Sequence, residues 1–223
     1  MFDVEGRYLQ SLPPSACGPP LGAAFEAKRG LFLVARPSNH RVSVYDAANG
    51  QLFRRPGSVA VDSAAGRVVV ADWGNGRLQV LDDQGGGWIC CMGTRGSEPG
   101  QFSNLREVAV DAEGRIYATD DVQHRVHVFD SRGDFVRTFG EGHLRRPRGV
   151  AVLDETGHVL VTSFGSDEVQ VFHKADGSHA GLFSSWCTAR PAFRRPMCVV
   201  VNAETRKVYV ADGVGVHTFT YEV

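Results

Sequence analysis

An all-β fold made of repeated four-stranded units is predicted by three features of this sequence. Between Glu26 and Asp46 the chain reads EAKRGLFLVARPSNHRVSVYD, and the same pattern returns without a gap as DSAAGRVVVADWGNGRLQVLD from Asp62 to Asp82. Inside each unit apolar residues alternate with a period of two, in short runs rich in Val, Ile, Phe and Tyr divided by Gly, Asn, Asp and Ser clusters, as half-buried antiparallel strands require. The last segment, Val216 to Val223, stops at the end of a third strand, and the start of the chain carries the pattern of a fourth. A fixed period of roughly forty residues with four strands per unit is the mark of a β-propeller.

The elements follow from that register. The pattern recurs at Asp111 to Asp130, at Leu153 to His173 and, shortened, at Asn202 to Tyr221. The third unit is the fullest: strand a over Glu107 to Asp111, strand b over Arg115 to Thr119, a turn from Asp121 to His124, strand c over Arg125 to Asp130 and strand d over Asp134 to Phe139. Strands a at Ala23, Val59, Val108, Val150 and Val199 predict five blades in one domain spanning 1–223, at approximately 20–55, 56–103, 104–145, 146–194 and 195–223 completed by 1–12. FDVEGRYLQSL (Phe2 to Leu12) aligns on FDSRGDFVRTF (Phe129 to Phe139), so the N-terminal strand d is expected to pair with the C-terminal strand c and hide the last sheet edge. Blade one is deficient, because only Gln51 to Arg55 separates its strand c from the next strand a.

Composition narrows the class. With 223 residues, 43% hydrophobic content and 26 glycines the chain can bury a sizeable core, and it has no apolar run long enough for a membrane helix. Asp3 and Glu5 stand where a signal peptide needs a basic start, which reads as a cytoplasmic protein without a membrane partner, expected to be monomeric as an isolated domain. Five cysteines without CxxC spacing read as reduced, buried structural thiols, with Cys90 and Cys91 on opposite faces of one strand.

GTRGSEPGQF (Gly93 to Phe102), the VAVD and VAD strand ends and Asn39-His40-Arg41 resemble the NHL-repeat family of propellers over nearly the whole chain. The resemblance implies the propeller fold and a binding module rather than an enzyme. Members among the tripartite-motif ubiquitin ligases and translational repressors usually have six blades, often after RING, B-box and coiled-coil segments absent from this sequence, so five blades depart from the pattern and the ligase chemistry does not carry over.

Charge then points to one face. In a propeller the d-to-a and b-to-c loops share a face, and three d-to-a loops read Arg54-Arg55-Pro56, Arg145-Arg146-Pro147-Arg148 and Arg194-Arg195-Pro196 at the same place. No acid occurs between Asp46 and Asp62, between Glu141 and Asp154 or between Asp176 and Glu204, so a chain of net charge −1 can carry a strongly positive face. Such a face attracts phosphates, and arginine planes stack on unpaired bases; Trp73, Phe164, Trp186 and Phe193 are the nearby aromatic candidates. The same residues also suit a solvated loop with a proline-fixed start.

In the b-to-c loops, Asp72 with Arg77 and Asp120 with Arg125 are expected to neutralise themselves, whereas Arg36 replaces the Asp in blade one and leaves Arg36 and Arg41 as binding candidates. Asp167 and Glu168 reverse the sign in blade four and make the patch asymmetric. The partner expected is single-stranded RNA; the alternative is an acidic protein segment on an interaction scaffold, which the resemblance connects with substrate recognition in a ubiquitin-ligase-type protein. A third reading, a metal-dependent propeller lactonase or lyase, has thin support. His40 and His124 lie in nonadjacent blades, His127 reads as an edge or satisfied strand histidine, and Asp72, Asp120 and Asp212 suit turn capping. No GxSxG elbow or phosphate-cradling glycine loop is present. No catalytic residue, metal or cofactor is therefore expected.

Overall fold

The computed structural model describes residues 53–83, 88–187 and 192–221 in full, and the backbone alone of 22–26, 31–36 and 41–44. Those residues form a β-propeller arrangement of antiparallel sheets, each with its strands in chain order. A three-stranded sheet described by its backbone, β1 (Gly22–Glu26), β2 (Leu31–Arg36) and β3 (Arg41–Val44), comes first. Four sheets with described side chains follow. They are β4 (Ser58–Asp62) to β7 (Trp88–Met92), with β5 (Arg67–Asp72) and β6 (Arg77–Asp82) between; β10 (Leu105–Val110), β11 (Ile116–Asp120), β12 (Arg125–Phe129) and β13 (Phe135–Phe139); β14 (Pro147–Leu153), β15 (His158–Ser163), β16 (Glu168–His173) and β17 (His179–Leu182); and the three-stranded β18 (Cys198–Asn202), β19 (Lys207–Ala211) and β20 (Val216–Thr220). The short parallel pair β8 (Thr94–Arg95) and β9 (Gln101–Phe102) closes the glycine-rich loop before β10.

The strands expected in the third unit all occur, shifted by a residue or two at their ends. Two single turns of 3-10 helix, Trp73–Asn75 and Phe183–Trp186, add the helical pieces that a strands-only reading left out. The N-terminal strand expected at Phe2 to Leu12, the segment after β3, Cys17 and residues 84–87 lie outside the described residues. No helix among the described residues is long and apolar enough to cross a membrane.

Strand a of each sheet packs on strand a of the next, β1 on β4, β4 on β10, β10 on β14 and β14 on β18. The period of two feeds the two faces of every sheet into different interfaces. Val68 and Val70 of β5 pack with Phe53, Val59 and Leu81, while Val69 and Ala71 pack with Leu78, Met92, Phe102 and Val108. In β11, likewise, Ile116 and Ala118 face the second sheet and Tyr117 faces the fourth. A register slip of one residue would exchange these faces, so alternation fixes the pairing. Close approach of the inner strands is also built in: a Cβ on Gly149 of β14 would stand 2.8 Å from the Val199 amide nitrogen of β18.

The thiols differ from expectation. Cys90, Cys187 and Cys198 are half-buried and Cys91 is exposed, all four free. β7 is an outer strand with Trp88 and Ile89 also exposed, so the alternation that buries residues on inner strands finds no neighbouring sheet face to cover it.

One ionic tie joins the third and fourth sheets on the side away from the arginine loops. Asp111, Glu113 and Asp154 come close enough together to suit a cation, and the Lys174 ammonium sits among them, 2.7 Å from Glu113 and 3.8 Å from Asp111, with a hydrogen bond to Asp154. Asp111 is buried and also accepts from Arg115 and from the Tyr117 hydroxyl. Lys174→Met should destabilise the fold by about 2 kcal/mol, less than a fully buried pair because Glu113 and Asp154 reach solvent. A urea midpoint equal to that of the parent protein would show that the tie contributes nothing.

Candidate nucleic-acid interface

The d-to-a loops are held by a clamp repeated in four sheets. The last residue of strand b, or in the final sheet the residue just past it, accepts a backbone N–H from the loop: Asp72 from Arg54 at 2.7 Å, Asp120 from Ser103 at 2.6 Å, Ser163 from Arg145 at 2.8 Å and Asp212 from Arg194 at 2.8 Å. In three of these the loop carbonyl is then gripped from below, Arg54 by the Gly74 N–H at 2.6 Å, Arg145 by Gly165 at 2.8 Å and Arg194 by Gly213 at 2.6 Å. A Cβ on Gly74 would lie 2.3 Å from the Arg54 oxygen, so glycine is required there. Burial alone would raise the Asp212 carboxyl, but the N–H donors of Arg194, Val214 and Gly215 outweigh it and hold the group down to about 2. These aspartates spend their oxygens on capping, as the sequence suggests.

The second arginine of each doublet is left-handed, with φ of 52° at Arg55, 52° at Arg146 and 51° at Arg195. A non-glycine residue in this region costs on the order of 1–2 kcal/mol, and strain repeated at three equivalent positions is characteristic of a functional surface. Arg54, Arg55, Arg145, Arg146, Arg194 and Arg195 are all exposed. Among the described residues, the guanidinium groups of Arg54, Arg145 and Arg194 have no carboxylate within ion-pair distance.

Two aromatic rings collect these cations. Trp73 and Phe164 occupy the same position, immediately after strand b. Arg55 lies 4.4 Å and Arg106 5.0 Å from the Trp73 ring centroid; Arg148 lies 3.8 Å, Arg146 5.5 Å and Arg195 5.9 Å from that of Phe164. Around Phe164 opens a cleft of about 660 Å³, lined by Arg145, Arg146, Arg148, Arg195, His124 and Asp167, among others. Burial and then the neighbouring Arg106 and Arg146 charges push the Arg148 guanidinium below its ordinary value, and its buried Nε has no partner among the described residues.

Several sequence expectations change here. Trp186 stands edge-on to His158, at the start of β15, whereas Phe164 follows the other end of that strand; Trp186 is therefore off the arginine face. Phe193 is buried against His217 and Phe219 and offers no ring. Arg77 pairs with Asp72 as expected, but Arg125 turns away from Asp120 to the carbonyls of Ser97 and Glu98 and to Glu141, because Asp120 is filled by backbone donors. His127 is fully buried rather than at an edge, and only half satisfied: Nε2 accepts from Arg125 Nε at 3.4 Å, while Nδ1 has no hydrogen-bond partner among the described residues. Burial followed by the Arg125 charge pushes the ring down to about 4, so it is a neutral core residue. Arg36 and Arg41 face each other in register across β2 and β3; their side chains, and His40, lie outside the described residues.

Arg106 was missed by sequence reasoning. It joins Trp73 to the buried Asp121, whose carboxylate it meets at 2.8 Å, and Arg146 reaches the same carboxylate at 3.9 Å. Aligning Asn104-Leu105-Arg106 with Arg146-Pro147-Arg148 would have found it, since only the arginine doublet and the proline differ.

The family model described as NHL repeat matches residues 53–81, the stretch that holds the first arginine doublet, β4, β5, Trp73 and all but the last residue of β6. The protein "brain tumor" of Drosophila melanogaster is 34% identical over 122 residues, and the B-box type zinc finger protein ncl-1 of Caenorhabditis elegans is 35% identical over 121; both are NHL-repeat proteins. The chain is a β-propeller that carries an NHL repeat at residues 53–81. Each of these matches covers 54% of this chain, but 12% of the first relative and 14% of the second, so the chain corresponds to a small part of their length. Solved structures agree on the fold: a nidogen/laminin complex at TM-score 0.65 and 17% identity, covering 90% of this chain and 80% of that one, and Kuenenia stuttgartiensis hydrazine synthase at 0.67 and 15%, covering 92% and 59%.

Proposed function

We propose that this NHL propeller is a non-enzymatic binding module whose arginine face takes single-stranded RNA. The observation that carries the reading is the pairing of strained, exposed arginines with aromatic rings at equivalent loop positions, Arg55 with Trp73 and Arg146 and Arg195 with Phe164. Guanidinium groups supply phosphate contacts, and the aromatic-guanidinium stacks supply flat surfaces for unpaired bases, which a duplex keeps stacked inside. Binding follows the arc from Trp73 to the Phe164 cleft. Arg54 and Arg194 stand at its margins, and Arg36 and Arg41, whose backbones pair in register between β2 and β3, are proposed as further contacts.

The stacking part of this reading is tested by Phe164→Ala. Loss of the ring should weaken binding of a labelled single-stranded oligonucleotide by about 1–3 kcal/mol, or roughly 5- to 150-fold, while leaving the salt dependence nearly unchanged. An unchanged affinity would remove base stacking. Binding of an acidic peptide in place of RNA would instead support the scaffold reading.

The ring is further proposed to have five blades closed by residues 1–12. β20 is the outer strand of its sheet among the described residues and carries an exposed Val216, which suits the pairing expected from FDVEGRYLQSL.

A further inference from the structure

His124 and Asp167 hold the same place in successive b-to-c turns, both left-handed, with φ of 57° and 59°. Each reaches the loop of the following sheet and accepts the N–H of its left-handed arginine: His124 Nδ1 from Arg146 at 3.0 Å, Asp167 Oδ1 from Arg195 at 2.6 Å. The two latches are alike in geometry and differ in chemistry. A carboxylate remains an acceptor throughout the physiological range. An imidazole that accepts at Nδ1 is neutral and carries its proton on Nε2; a second proton at Nδ1 turns the acceptor into a donor facing another N–H.

Both latch residues line the Phe164 cleft. The charged groups that meet there are Arg145, Arg146 and Arg148 from the loop before β14 and its first residues, Asp167 from the next turn, and Arg195 from the loop before β18. Asp121, at the start of the turn that carries His124, lies beneath Arg146, and Arg125 follows His124 but points to Glu141 and the carbonyls of the glycine-rich loop. The imidazole accepts the Arg146 N–H at Nδ1, and four guanidinium groups line the same cleft. A phosphate chain neutralises those cations and provides acceptors in their place.

We propose that His124 couples polyanion binding at this cleft to proton uptake. The imidazole takes a proton from solvent at Nδ1, releases the Arg146 N–H and donates to a phosphate oxygen as the fifth cation of the site. Asp167 keeps the Arg195 latch closed and gives the cleft one fixed and one proton-sensitive jaw. The inference rests on the reading of this face as an RNA surface, and deepens it.

The test compares the parent protein with His124→Asn. Asn tolerates the left-handed conformation, and its side-chain oxygen can accept the Arg146 N–H at every pH, so the latch and the fold persist. Affinities for single-stranded oligouridylate and for inorganic tripolyphosphate are measured at pH 7.5 and 6.0 and fixed ionic strength. The parent should gain about five- to tenfold relative to the variant on acidification, and calorimetry in two buffers of different ionisation enthalpy should show proton uptake that the variant lacks. Equal pH dependence in the two proteins, or no binding of either probe, overturns the proposal. Tripolyphosphate binding with proton uptake, without oligouridylate binding, upholds the coupling and sinks the RNA reading.

Discussion

Reversing three charges around one ring, Arg145→Glu/Arg146→Glu/Arg195→Glu, should weaken binding of single-stranded RNA by about 100-fold or more at low salt and flatten its salt dependence. The expectation follows from geometry. All three guanidinium groups line the cleft over Phe164, and the nearest buried acid, Asp121, is already engaged by Arg106. The variant should still fold, because the loops are clamped through backbone N–H groups to Ser163, His124 and Asp167, and the exposed side chains add only the long Arg146 contact to Asp121 at 3.9 Å and the distant faces of Arg146 and Arg195 on Phe164. A folded variant, checked by thermal melting, that binds RNA as the parent does would separate the arginine face from the function. Arg54→Glu/Arg194→Glu, at the margins, should cost less.

Glu107→Gln should abolish most of the alkaline loss of stability. Glu107 lies on the inner strand β10, accepts from the Val150 N–H and approaches the Cys198 thiol of the fifth sheet at 4.0 Å. Burial pushes its carboxyl from 4.5 up to about 8, with the Val150 N–H pulling the other way. Burial and then Glu107 push the Cys198 thiol up to about 12, so that thiol does not titrate in the same range. Because the folded state holds the proton more tightly than the unfolded chain, the contribution is complete below about pH 4, declines as the pH rises, and is gone above about pH 8. The shift sets a ceiling of about 5 kcal/mol; Glu107 retains some surface, water screens it, and about 2–3 kcal/mol is the expected loss. For a domain of this size that corresponds to a fall of roughly 5–10 °C in melting temperature between pH 5 and 9, nearly absent in the glutamine variant. Parallel curves for the two proteins would mean that Glu107 is ionised in the folded state.

Local patterning explains what the sequence disclosed. Period-two alternation and the turn residues marked the strands of the third sheet, and the aligned Arg-Arg-Pro loops marked the cationic face, because both are written in one repeat at a time. Trp73 and Phe164 were legible for the same reason. What escaped depends on neighbouring sheets. Phe193 and Trp186 are aromatic residues near arginines in sequence, but the packing of Phe219 and the direction of β15 take them elsewhere. Asp167 looked like a reversal of charge and is a latch on Arg195; Asp120 looked like the partner of Arg125 and is occupied by the loop of its own sheet. Lys174 and its three acids come from separate turns of two sheets and share no motif.

RNA recognition by the arginine face is open to fluorescence anisotropy of the purified protein with a labelled random single-stranded RNA pool, titrated from low to near-physiological salt beside a duplex of the same length. Binding should favour the single strand and weaken by roughly 0.7 log units per log unit of salt for each phosphate contacted, with three or more contacts visible in the slope. Absence of binding at low salt, or equal affinity for the duplex, would contradict that recognition.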